Sequence, residues 1–247
     1  RPCPARPEEY KQHIVVGKRH EFADCVTGRP FQFPEPKDIN INMMPFVIGK
    51  KESLPEECQG YWSIIMACQF PLAEHGKIGF LTIQESLTEA GDSQRRPGLH
   101  VEASKVRLHE GGKLTERMHH WGFSLGTTRQ GGLYMASNVS NSTRIWNCKL
   151  DPPEKVVGLL GDVEHLRDSL GEGVSMQAGE LWWFTDATPH ESLPLEETTY
   201  RQYVRVVSST VTIWYSKHST PNPLGVVPDS KITEVVTHDK FEQAGLN

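Results

Sequence analysis

Short β-prone runs, punctuated by Gly- and Pro-rich turns and broken by one convincing helical stretch, constrain this chain more than any other feature. Candidate strands are Tyr61–Phe70 and Ile78–Gln84, joined as a hairpin through a turn around Glu74–Lys77. They are followed by Leu99–Ala103, Lys105–His109, Gly122–Thr127, Gly132–Asn138, Arg144–Leu150, Gly179–Phe184 and a long run at Thr198–Tyr215. The helix is expected at Pro153–Leu170, with Pro152-Pro153 at its start and Gly171 just past its end. Roughly seven to nine strands at short spacing argue against βαβ alternation and predict a mainly β, double-stranded β-helix (jelly-roll) core over residues 60–225. Residues 1–58, rich in Pro and charge, read as an irregular N-terminal wrap with one short helix near Pro7–His13. A chain of 247 residues, 37% hydrophobic, can bury one large core, so a single domain over 1–247 is expected.

Charge and cysteine usage remove several function classes. The formal net charge is −5 with no long run of like charge, so nothing marks a nucleic-acid or anionic-membrane surface. The longest apolar stretches, such as Trp62–Cys68 and Val204–Val207, fall far short of the roughly 20 residues a spanning helix needs. Five cysteines at wide, irregular spacings, without a CxxC pair, suggest neither a zinc ribbon nor a disulfide framework, and a reducing, cytoplasmic compartment fits them. Two adjacent glycosylation sequons, Asn138-Val-Ser140 and Asn141-Ser-Thr143, point the other way. Oligomeric state is not legible.

The chemistry concentrates in two segments. In Arg95-Arg96-Pro97-Gly98-Leu99-His100-Val101-Glu102, a Pro-Gly turn leads into an expected strand, on which His100 and Glu102 share one face. In the second, Gly179–Pro194, an apolar strand ends in Thr-Asp-Ala-Thr-Pro and presents His190. Two neutral imidazoles and one carboxylate bind Fe(II) on one face of its octahedron and leave three positions open, whereas a structural zinc site closes all four, usually with thiolates. His109, beside Glu110, and the pair His119-His120 compete as ligands if the strand register differs.

His-x-Glu, about 90 residues, His, then a strand carrying Arg: this order resembles the Fe(II)/2-oxoglutarate-dependent dioxygenase superfamily. The resemblance covers roughly residues 80–215 and implies Fe(II) on His100, Glu102 and His190, with 2-oxoglutarate as co-substrate and O2 as oxidant. It also implies an Arg that binds the far carboxylate of 2-oxoglutarate. Arg201 and Arg205, at offsets 11 and 15 from His190, both qualify, and they share a strand face with Tyr203. Most members carry Asp where this chain has Glu102. Halogenating relatives put a small residue there, so the carboxylate argues against halogenation. The implied reaction is hydroxylation, desaturation, epoxidation or cyclisation at an unactivated C–H of a small organic substrate. His120, Trp121, Tyr134, Trp182 and Tyr203 are candidates for the substrate pocket, although core packing is the default role for Trp121 and Tyr134 and for at least one of Trp182 and Trp183, and Met118 and Met135 read as packing fillers. Two other classes stay open: a cupin-like metal enzyme without 2-oxoglutarate (a dioxygenase, isomerase or lyase), and a non-catalytic jelly-roll binding module.

Overall fold

A computed structural model describes residues 7–19, 21–110, 113–122 and 131–241. The protein is mainly β, built from several antiparallel sheets. Its strands are β1 (Ile14–Val16), β2 (Ala23–Cys25), β3 (Asn40–Val47), β4 (Ile78–Thr88), β5 (Ser104–Glu110), β6 (Lys113–His119), β7 (Leu133–Ser137) and β8 (Thr143–Ile145). There follow β9 (Cys148–Leu150), β10 (Val174–Ser175), β11 (Trp182–Phe184), β12 (His190–Ser192), β13 (Thr199–Val207), β14 (Ile213–Tyr215) and β15 (Glu234–Val236), with short helices α1 (Pro7–Lys11) and α2 (Trp62–Ala67). The largest sheet has the order β2-β11-β7-β13-β4-β3, every pair antiparallel, and a smaller sheet has the order β10-β8-β12. No described helix is long and apolar enough to cross a membrane.

Alternation on β13 divides the interior in two. Val204 and Val206, with Leu81 and Ile83 of β4, Tyr134 and Ala136 of β7 and Trp183 of β11, face a core closed by α2. Tyr203 and Val207, with Phe80, Met135 and Phe184, face the other way, toward Ile145 of the smaller sheet. The small sheet therefore packs on one face of the large sheet, and the two layers meet where Arg201 on β13 reaches Thr143 and Ser192.

Five expectations meet a different outcome. Most of Tyr61–Phe70 is helical, from Tyr61 through Ala67, because Tyr61, Ile64, Ile65 and Cys68 are buried at a spacing of three and four while Met66 is exposed, so no hairpin with β4 forms. The Pro153–Leu170 helix reduces to two 3-10 turns, Pro153–Lys155 and Glu164–Ser169, because Gly158 and Gly161 enclose a tight turn with Leu160 at φ 56°. Leu99–Ala103 is extended only in two isolated bridges at His100, to Asp162 and to His190, and regular pairing begins at Ser104. Arg144–Leu150 is split between β8 and β9, and the segment read as irregular carries β1, β2 and β3, of which β3 forms an edge of the largest sheet. Of the expected strand Gly122–Thr127, all but Gly122 lies outside the described residues.

The α2-side core contains one buried polar network. Tyr61 donates to Glu85 at 2.6 Å, Gln202 donates to the Tyr61 hydroxyl and to Glu85, and the Lys37 and Ile39 amides donate to the other Glu85 oxygen. Burial would raise the Glu85 carboxyl, but these donors hold it below the usual range. Tyr61→Phe, which strands part of this network, should cost about 1–3 kcal/mol in urea unfolding, while metal binding is retained.

Candidate metal centre and adjoining cavity

His100 and His190 come together through the backbone. Each amide donates to the other's carbonyl, at 3.0 and 2.9 Å, so the residues face one another across an antiparallel bridge with ring centroids 4.5 Å apart. The His190 side of this pair is set by a turn in which Thr188 hydrogen-bonds back to Thr185, and by the pairing of β12 with β8. The His100 side is clamped by the loop 158–163, where Val101 donates to the Gly161 carbonyl and Val163 to Leu99. Gly161 has φ +81°, and a Cβ there would stand 2.0 Å from the Val101 carbonyl oxygen. Gly161→Ala should therefore cost more than about 1 kcal/mol, read as a fall in Tm, and weaken metal binding by displacing His100.

His100, Glu102 and His190 each offer a ligand atom, and these atoms lie within 4.8 Å of one another. His190 Nε2 is 3.8 Å from Glu102 Oε1. His100 Nδ1 is 2.8 Å from the Gly98 carbonyl and His190 Nδ1 is 3.0 Å from the Thr188 carbonyl. A carbonyl only accepts, so in each neutral ring Nδ1 carries the proton and Nε2 keeps its lone pair, the tautomer a metal ligand needs. Burial, then the His190 ring and Arg96, pushes the His100 imidazole well below its usual pKa. Burial would raise the Glu102 carboxyl, but Arg205 at 2.6 Å, then His190, holds it well below the carboxylate range. His100 and Glu102 are thus in ligand form at neutral pH. The set of two imidazoles and one carboxylate, without thiolate, fits a non-haem Fe(II) ion with open positions.

The cluster opens on a cavity of about 210 Å³ between the two sheets. Trp121 and Tyr203 line it, as expected; Tyr134, Trp182 and His120 do not. Tyr134 has the opposite parity on β7 and packs in the α2-side core, so its neighbour Met135 reaches the cavity instead. Trp182 sits farther along its sheet, with its indole N–H on Glu180, and His120 faces Asp186 at 3.2 Å. Asp186 raises the His120 pKa, and it also accepts from the Trp121 amide. The rival His119 stands apart from the cluster, hydrogen-bonding Thr212, with burial lowering its pKa to about 3; the backbone of His109 pairs with Leu114 in the β5–β6 hairpin, and its side chain lies outside those described.

The two arginines of β13 have different surroundings. Arg205 donates to Glu102, lies 4.5 Å from the Trp121 ring centroid, and has a buried Nε without a hydrogen-bond partner among the described residues. Arg201 is fully buried; its guanidinium donates to the hydroxyls of Ser137, Thr143 and Ser192 and stands 5.5 Å from the Tyr203 ring centroid, with no carboxylate partner among the described residues. Burial, then Arg95, lowers its pKa to about 10, which leaves it charged at neutral pH. The hydroxyl partners were not singled out in the sequence, although Ser192 follows His190 by two on one strand face and so carried a signal.

Among known proteins, no protein-family model matches this chain, and no curated protein matches it. Two solved structures show a distant likeness. One, "CytC3 with Fe(II) and alpha-ketoglutarate", is 15% identical with a TM-score of 0.25, over 70% of this chain and 75% of that one. The other, "CytC3", is 14% identical with a TM-score of 0.28, over 81% and 90%. Similarity at this level fixes neither fold nor chemistry.

Proposed function

We propose that the chain is a non-haem Fe(II)/2-oxoglutarate-dependent oxygenase on a jelly-roll core, oxidising an unactivated C–H bond of a small organic substrate. The observation that carries this reading is the pairing of an open His-Glu-His donor set with a buried guanidinium that hydrogen-bonds hydroxyls and has no carboxylate partner among the described residues. A buried cation without a counter-ion is costly, and a ligand carboxylate would offset that cost.

His100, Glu102 and His190 would hold Fe(II), which when loaded with the 2-oxo acid supplies activation of O2 for C–H oxidation. The protein's own part is positioning and electrostatics. Arg201 takes the distal carboxylate of 2-oxoglutarate, with the Thr143 and Ser192 hydroxyls fixing its fork. Arg205 holds Glu102 in its ionised, ligating form and orients it. Trp121 and Tyr203 wall the cavity and limit access of water.

Anaerobic titration of the Fe(II) protein with 2-oxoglutarate tests the assignment. A weak visible charge-transfer band, saturating at one equivalent, is the expected result, followed by succinate formation when O2 is admitted. Fe(II) binding with neither band nor succinate would favour a metal enzyme that does not use the co-substrate.

A further inference from the structure

The cavity carries more positive charge than the proposed reaction accounts for. Among the described residues, Arg95, Arg96, Arg205 and Lys240 line it, against two carboxylates, Glu102 and Glu191. Glu102 is paired with Arg205, and Glu191 is taken by Arg167 at 2.7 Å with Arg144 at 3.7 Å. Among the described residues, Arg95, Arg96 and Lys240 have no carboxylate within 4.0 Å. Arg95 rests on the Gln84 amide oxygen and stands 5.2 Å from the Tyr203 ring centroid, and Arg96 meets only the Leu160 carbonyl. Three cations thus gather at one cavity of a chain whose net charge is −5. Two groups are already balanced in the proposed reaction: Glu102 by Arg205 and the distal co-substrate carboxylate by Arg201. Trp121, Trp214 and Tyr215 add apolar surface to the same cavity.

We propose that the substrate is itself a small organic anion: an acidic group docks on Arg95, Arg96 and Lys240, and an apolar body lies against Trp121, Trp214 and Tyr215. This rests on the oxygenase reading for what happens to the substrate, but not for its binding. Lys240 supports it from a second side, since burial, then Arg96, Arg205 and Arg95, lowers its pKa to about 8 despite the opposing pull of Glu102, and a bound anion would relieve this strain on its charge. Uncompensated cations lining a cavity also speed capture of anions from solution.

Binding can be read without turnover, because Trp121 and Trp214 report occupancy through their fluorescence. The probes are 3-phenylpropionate, octanoate and benzenesulfonate, each against its neutral primary amide, with saturating 2-oxoglutarate and Zn(II) present to fill the metal and co-substrate sites. The acids should bind at least tenfold more tightly than their amides. Arg96→Gln and Lys240→Gln should each weaken the acids several-fold and leave the amides unchanged, and the preference should shrink in high salt. Equal binding of acid and amide would overturn the proposal, as would acid binding abolished by 2-oxoglutarate, which would mean that the acids had occupied only the co-substrate site. Failure of the oxygenase reading shows elsewhere, in the absence of Fe(II) uptake or succinate, and leaves an acid-selective cavity standing.

Discussion

His190→Ala lowers Fe(II) affinity by more than about 100-fold, beyond the 10–100-fold typical of changes to groups that merely support a ligand. The ring is 3% exposed and sits between His100 and Phe184, at centroid distances of 4.5 and 4.8 Å, so its removal leaves a void as well as an open ligand position. Some loss of Tm is therefore expected from packing alone. Glu102→Gln separates the two effects. It keeps the shape of the side chain and its contact with Arg205 while removing the charge, so the fold should survive and metal affinity should still drop at least roughly tenfold. Equilibrium dialysis with Fe(II), alongside thermal unfolding of each variant, reads both quantities. Retention of one metal equivalent by both variants would remove the basis for the site.

Arg201→Met weakens 2-oxoglutarate binding by about 30-fold or more, equivalent to about 2 kcal/mol or more for the loss of one partner from a buried charge pair. Its effect on the ligand-free protein has the opposite tendency. The guanidinium is fully buried with hydroxyl partners and no carboxylate, so a nonpolar side chain of similar length should leave Tm unchanged or raise it. The gain in Tm that 2-oxoglutarate gives the intact Fe(II) protein should disappear. Arg205→Met behaves differently. It removes the 2.6 Å partner of Glu102, so Fe(II) affinity falls while the apparent KM for 2-oxoglutarate changes little at saturating metal. A reversal of these two patterns would exchange the roles assigned to the arginines.

Residue type and spacing made the three candidate ligands legible from sequence, but the physical means of bringing them together was not. A shared strand face for His100 and Glu102 was the expectation, whereas a backbone bridge from His100 to His190 and the Gly161 loop position the first imidazole. Such pairing depends on partners about 60 and 90 positions away, beyond any local period. Parity explains the errors around the pocket. Tyr134 and Met135 are adjacent on β7, and a choice of register decides which of them meets the cavity. The helix at Trp62–Ala67 was hidden because a short apolar run reads equally as strand, and only its burial at Tyr61, Ile64, Ile65 and Cys68 shows the helical period. Arg201 and Arg205 were indistinguishable in sequence, and their separate partners, hydroxyls for one and Glu102 for the other, come from the packing of the small sheet and of the His100 segment against β13.

X-ray absorption at the iron edge of the Fe(II)-loaded protein tests the central claim, that these three side chains share one ion. The account predicts one iron per chain with two imidazole nitrogens and a carboxylate oxygen among its ligands, at about 2.0–2.2 Å as for other first-row metal sites. Loss of one imidazole contribution in His100→Ala should follow. A spectrum of oxygen ligands alone, unchanged between the intact protein and that variant, would contradict it.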